Sequence, residues 1–246
     1  MENNIIELRD VHTSFNGVLV HSGINLCIKE GEVMSLIGSS GVGKSVLLKE
    51  LIGILKPDKG EILVMGRNIV PLKEEELIKI RRNIGILFQG SALFDSLTVY
   101  ENIAYPLREH TKLKEKEIEE KVREKLGLVG LEGAEQKLPD ELSGGMKKRV
   151  GLARAIAIEP KIILYDEPTT GIDPITAEKI NELILDLQNK LGTTTIVVTH
   201  DLHCVKKVTN RLAMLSEGKI ITEGTWDDLE NSEIKVIRDF IAGSRY

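Results

Sequence analysis

Residues Gly38-Ser39-Ser40-Gly41-Val42-Gly43-Lys44-Ser45 restrict this chain more than any other stretch. The apolar run Val33–Ile37 precedes them, and Val46-Leu47-Leu48 with Leu51-Ile52 follows at helical spacing, so the local order is strand, loop, helix. Glycines let backbone N–H groups turn inward around phosphate oxygens, and Lys44 adds a point charge beside the β- and γ-phosphates. The helix starting near Gly43 aims its positive end at the same anions. Ser45 offers a hydroxyl to Mg²⁺, which favours hard oxygen ligands. A nucleoside triphosphate is the ligand this pattern predicts.

A strand, loop and helix of this kind need a sheet around them. The 246 residues suffice for one large domain, or a core with a subdomain. A net charge of −5 argues against a general nucleic-acid binder. Met1 to Asp10 has neither the basic nor the apolar region of a signal peptide, and no apolar run approaches the roughly 18 residues of a membrane span. Cys27 and Cys204 lie far apart without a C-x-x-C pattern and read as packed thiols in a reducing compartment.

Period-two alternation from Ile5 to Ile28 around Asn16-Gly17 predicts two strands and a turn. Phe15, just before that turn, either packs in the core or offers a stacking platform to a purine. Glu61–Met65 reads as a strand, Gly66-Arg67-Asn68 as a turn, Lys73–Arg82 as a charged helix and Gly85–Phe88 as a buried strand. Thr98 is set to cap a short helix, Val99–Tyr105, that Pro106 stops. Lys112–Gly127 reads as a solvated helix with Glu117–Lys121 and Glu119–Arg123 pairs. After Pro174 come a helix (Ile175–Lys190), a β-branched strand (Thr193–Thr199), a hairpin around Glu217-Gly218 and two closing helices.

Four further places carry chemistry. Gln89 ends the strand after Gly85; such a glutamine is either structural or a contact for Mg²⁺ or an attacking water. Ser143 is placed to cap a helix with an apolar face at Met146, Val150, Ala153 and Ala157. The Gly144-Gly145 pair after it suggests bare N–H groups meeting an anion. Ile162–Tyr165 is a buried strand ending in Asp166-Glu167, two carboxylates that are costly unless they meet a cation or do chemistry. Asp166 would hold Mg²⁺ through water, and Glu167 would orient or deprotonate the water attacking the γ-phosphate. His200 follows another strand, where open α/β sheets bind ligands, and could hydrogen-bond the γ-phosphate.

These motifs stand in the order found in ABC transporter ATPases, which the chain resembles over nearly its whole length. The resemblance implies an α/β P-loop NTPase with a RecA-like core, an antiparallel β subdomain and an inserted α-helical subdomain near residues 90–158 of a single 1–246 domain. It also implies ATP and Mg²⁺ as ligands, with Ser45, Gln89 and Asp166 at the metal and Glu167, His200 and Gln89 catalytic. ATP would lie on Phe15, on Gly38 to Ser45 and on Asp166, with Ser143, Gly144 and Gly145 supplied by the second copy of a homodimer. Phe15 stands where the family usually has a tyrosine, and Met146 where the signature commonly ends in glutamine.

A narrower resemblance, to the Mla/Mkl-type ATPases, rests on Leu87–Leu97 and on Ala104-Tyr105-Pro106-Leu107-Arg108-Glu109-His110-Thr111. It implies phospholipid movement with integral membrane permease subunits and an MCE-type lipid-binding subunit, at the cytoplasmic face of the cell membrane. The chain ends at Tyr246, where some of these ATPases carry a long extension. Another cargo, such as an amino acid, is the alternative within transport. A non-transport ABC protein acting on ribosomes or DNA usually has two cassettes or a coiled-coil insertion, and a binding-only cassette would lack Glu167. Leu93, Phe94, Leu97 and Tyr100 are expected either to line the permease groove or to pack the helical part onto the core.

Overall fold

In the computed structural model residues 3–243 are described, so the chain's end at Tyr246 lies outside them. Contacts divide the chain into two units, one reaching Arg81 and resuming at Thr194, the other Arg82–Thr193.

In the first unit, β1 (Asn4–Phe15) and β2 (Val18–Lys29) form the hairpin expected around Asn16-Gly17. With β4 (Lys59–Val64) and β5 (Arg67–Asn68) they make an antiparallel sheet of order β2-β1-β4-β5. Arg67-Asn68 is therefore a short strand and not a turn, because Val64 and Leu63 pair with it across Met65-Gly66. The hairpin carries a bulge: Val11 faces Ile24 but His12 faces Ser22, leaving Gly23 unpaired at φ 77°. A bulge shifts the alternation of the strand by one. Ile24, Leu26 and Ile28 point inward on even numbers, and beyond Gly23 it is His21 that turns in. Cys27 falls on the outer parity and is exposed, contrary to the packed thiol expected, whereas Cys204 is buried.

The second sheet of this unit centres on β3 (Val33–Ile37), all of it buried. Parallel neighbours flank it, β8 (Thr194–Val198) and β9 (Arg211–Ser216), and β10 (Lys219–Gly224) closes the edge antiparallel to β9. Between these strands run α1 (Lys44–Leu51), α2 (Glu74–Arg81) and α7 (Leu202–Val208). The chain ends in α8 (Trp226–Glu230) and α9 (Lys235–Gly243). Ile237 and Ile241 of α9 pack with Ile37, Leu212 and Met214.

The second unit pairs β6 (Ile84–Leu87) with β7 (Ile162–Asp166) in parallel. Its helices are α3 (Val99–His110), α4 (Glu115–Leu128), α5 (Gly144–Ala155) and α6 (Pro174–Leu191). Thr98 caps α3 in a reciprocal box with Glu101, but the helix does not stop at Pro106. Proline removes one helical donor. Val99, Ile103, Ala104 and Leu107 are nonetheless all buried, and that packing carries the helix through to His110. On α4 the Glu119–Arg123 pair forms at 2.9 Å, whereas Glu117 accepts from the Lys114 amide and Lys121 pairs with Glu159 at 2.8 Å. Among the described residues no helix is long and apolar enough to cross a membrane.

Candidate active site

Both units have expected site residues at the carboxyl ends of parallel strands, where α/β sheets bind ligands: the loop from Gly38 and His200 in the first, Gln89 and Asp166-Glu167 in the second. In the first unit, β3 runs out into the phosphate loop. Gly38 has φ 148°, and a Cβ there would lie 2.3 Å from the Leu215 carbonyl oxygen, so only glycine lets the chain leave the sheet at this point. Gly43, at φ 104°, is the N-cap of α1 and offers no side-chain cap. The first helical turn carries no acidic side chain, as suits a helix end that meets an anion. Lys44 is buried to 6% exposure and arches back over the loop, where Nζ donates to the carbonyls of Gly38 (2.7 Å) and Ser39 (3.0 Å). Ser45, beside it, is half-buried.

His200 follows β8, which pairs with β3 so that Leu36 faces Val198. Ser39, Ser40 and His200 share an open cleft of about 500 Å³ with Met214 and with Asp239 and Phe240 of α9. Phe15 stands 41% exposed at the hairpin tip beside exposed Val18 and Leu19, so it is a surface ring and not a core one.

Behind the loop lies a buried polar chain with no counterpart in the sequence reading. His21 Nε2 is 3.1 Å from the Gly43 carbonyl oxygen, which can only accept, so Nε2 carries the proton. Nδ1 lies 3.1 Å from Glu50 Oε2, at ion-pair distance but off the alignment of a hydrogen bond, and both side chains are fully buried. Thr13 Oγ1 donates to the other Glu50 oxygen.

In the second unit, β6 and β7 pair with Leu87 opposite Tyr165, so Gln89 and Asp166-Glu167 emerge at one edge. Asp166 and Glu167 are each 8% exposed. Glu167 has φ 50°, a left-handed conformation that costs a side-chain-bearing residue about 1–3 kcal/mol and clusters at functional sites. Thr170 steadies it, its Oγ1 donating to Glu167 Oε2 at 3.2 Å and its amide to the Glu167 carbonyl at 3.3 Å.

The residue that joins this edge together is Lys148 of α5. Only 4% exposed, its Nζ donates to the carbonyl oxygens of Gln89 (2.5 Å) and Glu167 (3.1 Å). Burial pushes its pKa below the usual lysine value, and the nearby Asp166 and Glu167 carboxylates pull it partly back. Two turns on, Arg154 donates to the carbonyls of Ser91 and Ala92, both at 2.7 Å. Those two residues have φ of 62° and 45°, so the turn after Gln89 is held in a conformation it would not adopt unaided. Gly151 lies between the two cations on the helix, and a Cβ there would come 2.8 Å from Leu87 Cδ1. The signal was present in the sequence as a lysine at helical spacing with Gly151 and Ala155, a polar residue inside a stripe of small ones.

Ser143 caps α5 as expected, accepting from the Met146 amide at 3.3 Å. The two glycines after it differ. A Cβ on Gly145 would lie 2.3 Å from Thr176 Cγ2, so close packing against α6 explains that glycine without any anion, whereas Gly144 is exposed. Asn102, fully buried on α3, accepts from the Phe94 amide (2.9 Å) and donates to the carbonyls of Phe94, Leu97 and Thr98. That clamp holds the irregular stretch around Phe94. The Phe94 ring, 44% exposed, meets Tyr105 at 5.2 Å between centroids.

Known proteins match this arrangement. The profile described as "ABC transporter" fits residues 21–170. A "Probable ribonucleotide transport ATP-binding protein mkl" of Mycobacterium bovis is 44% identical over 98% of this chain and 67% of its own length. The "Intermembrane phospholipid transport system ATP-binding protein MlaF" of Haemophilus influenzae is 41% identical over 99% of this chain and 92% of its own. A solved ATP-binding cassette, in a dimeric post-hydrolysis state bound to ADP and Pi, superposes with a TM-score of 0.83 at 35% identity, covering 89% of this chain and 98% of that one.

Proposed function

Because this chain belongs to the ABC transporter family and is an ATPase of it, we propose that two copies close on ATP and drive a membrane permease that moves phospholipid. The observation that carries the chemistry is the buried Asp166-Glu167 pair at the end of β7, with Glu167 held at φ 50°. Glu167 serves as the base for the attacking water, and His200 and Gln89 help to place the γ-phosphate and that water. Lys44 and the loop amides bind the β- and γ-phosphates, and Phe15 stacks on the adenine. Ser143, Gly144 and Gly145 are presented to the phosphate of the partner copy.

Mg²⁺ is bound through few protein oxygens together with substrate phosphates, more often than in an all-protein cage. The hydroxyl of Ser45, the amide oxygen of Gln89 and the carboxylate of Asp166 are such donors, and among the described residues no cluster of three acidic, histidine or cysteine side chains forms a cage. When bound, the ion neutralises charge on the phosphate oxygens. We read the chain as one ATPase domain whose helical subdomain, residues 90–158 approximately, carries α3 to α5.

Phospholipid is the cargo we assign, because likeness to the phospholipid-named relative runs nearly the whole length of both chains, whereas the ribonucleotide-named one is covered over 67% of its length. This reading brings an integral permease, an MCE-type lipid-binding subunit and a place at the cytoplasmic face of the membrane.

Glu167→Gln tests the chemistry. ATP binding should persist while turnover falls by about 10²–10⁴-fold, the range for loss of a general base. Hydrolysis near the wild-type rate would remove Glu167 from that role. Phe94→Glu tests the permease contact, since an aromatic anchor often carries much of an interface. With Phe94 44% exposed, the variant should keep its ATPase activity and melting temperature while co-purifying less of the membrane partner. Undiminished co-purification would mean that Phe94 is not the anchor. Lipid analysis of the captured complex decides the cargo, with bound ribonucleotide as the opposing result.

A further inference from the structure

We infer that Lys148 is a positioning residue for hydrolysis: from α5 it fixes the main chains of Gln89 and Glu167 relative to one another. This rests on Glu167 being the base, as proposed above. The geometry is unusual for a lysine. The residue is only 4% exposed, and its Nζ ends on two backbone carbonyls that belong to residues 78 positions apart in sequence, Gln89 and Glu167. Both carbonyls belong to residues whose side chains are the proposed water and metal contacts. A second donor reaches one of them, since the Thr170 amide also points at the Glu167 carbonyl. Glu167 stands at φ 50°, which for a residue with a Cβ must be held by its surroundings. Lys148 therefore stabilises the backbone conformation from which the carboxylate projects.

The same helix face continues the attachment. Gly151 admits Leu87 and Ser91, and Arg154 holds the carbonyls of Ser91 and Ala92. The segment from β6 to Ala92 is thus fastened to α5 at several points, and Glu167 is fastened to α5 through Lys148. Ser143 caps the N-terminus of this helix. A shift of α5 along its axis, of the sort that docking a phosphate at Ser143 would produce, would reach Gln89 and the backbone of Glu167 together. No step in this transfers a proton through Lys148; its role is geometric.

The test compares Lys148→Met, which keeps the length and removes the donors, with Lys148→Arg, which keeps donors and charge. Both are assayed as the full chain with ATP and Mg²⁺, and rates are counted per ATP-binding site so that partly folded protein is still read. Lys148→Met should lower kcat by about 10- to 100-fold, the scale of a displaced reacting group, with KM for ATP changed less than about twofold. Lys148→Arg should recover most of that loss. In a Glu167→Gln background, Lys148→Met should cost little more, because its effect passes through Glu167. A wild-type kcat in Lys148→Met, an equal loss in both backgrounds, or a loss of ATP binding altogether would overturn the inference and leave Lys148 a packing residue. Failure of the underlying reading looks different: Glu167→Gln would itself hydrolyse ATP at the wild-type rate.

Discussion

The phosphate loop is shaped by glycines acting on their own backbone, whereas the Gln89–Glu167 edge is shaped by cations reaching across from another helix. At Gly38 and Gly43 the required conformation is written at the residue that adopts it, φ 148° and 104°. At Glu167, Ser91 and Ala92 the positive φ belongs to residues with a Cβ, and Lys148, Thr170 and Arg154 hold their carbonyls in place. The first arrangement needs little from its neighbours and suits a site that must accept a polyanion in a fixed cradle. The second ties its geometry to the position of α5 and so can respond when that helix moves. Rigidity in one place and coupling in the other come from where the constraint is stored.

The contrast breaks if the phosphate loop leans on its buried support as heavily as Glu167 leans on Lys148. His21 touches the Gly43 carbonyl and sits 3.1 Å from Glu50, with both fully buried. Removing one member of such a pair strands the other. Glu50→Leu should therefore cost about 3–5 kcal/mol in chemical denaturation. The double variant His21→Leu/Glu50→Leu removes both partners, and an apolar replacement for a buried pair is often near neutral, so most of that stability should return. ATP affinity then decides the comparison. If the loop is shaped by its own glycines, the double variant binds ATP as the wild type does. Stability restored without ATP binding would mean that His21 holds Gly43 in the way Lys148 holds Glu167, and the distinction between the two sites would fall.

The same division explains what could be read from residues alone. Strand, loop and helix at Val33–Leu51, the cap at Ser143 and the carboxylates closing β7 depend on near neighbours in sequence, and the structure has each of these elements where expected. The partners of Lys148, Arg154 and Asn102 are backbone groups, which carry no side-chain signature, so residue spacing shows at most that Lys148 lies on a buried stripe and not what it holds. His21 was hidden for another reason. Strict alternation from Ile28 puts it on the outer face, and only the bulge at Gly23 turns it in. The misread end at Pro106 is a case of tertiary packing overriding a local breaker, since Leu107 beyond it is 1% exposed.

The smallest expected effect sharpens the comparison at the two helix N-termini. Both α1 and α5 are read as meeting phosphate, yet α1 begins at Gly43 without a side-chain cap and α5 begins at Ser143 with one. A cap already occupied by its own helix has less to offer a ligand. The Ser143 hydroxyl accepts from the Met146 amide at 3.3 Å, a long bond, so Ser143→Ala should fall at the low end of the cap range, about 0.5–1 kcal/mol in urea denaturation. Ser143→Gly should cost only about a few tenths of a kcal/mol, since glycine is tolerated at the N-cap. If the backbone amides of α5 carry the phosphate contact, both variants keep most of their ATPase activity once the stability difference is allowed for. A much larger fall in turnover than in stability would show that the hydroxyl leaves Met146 to bind the ligand. In that event α5, like α1, would present uncapped amides when occupied, and the two helix ends would work alike.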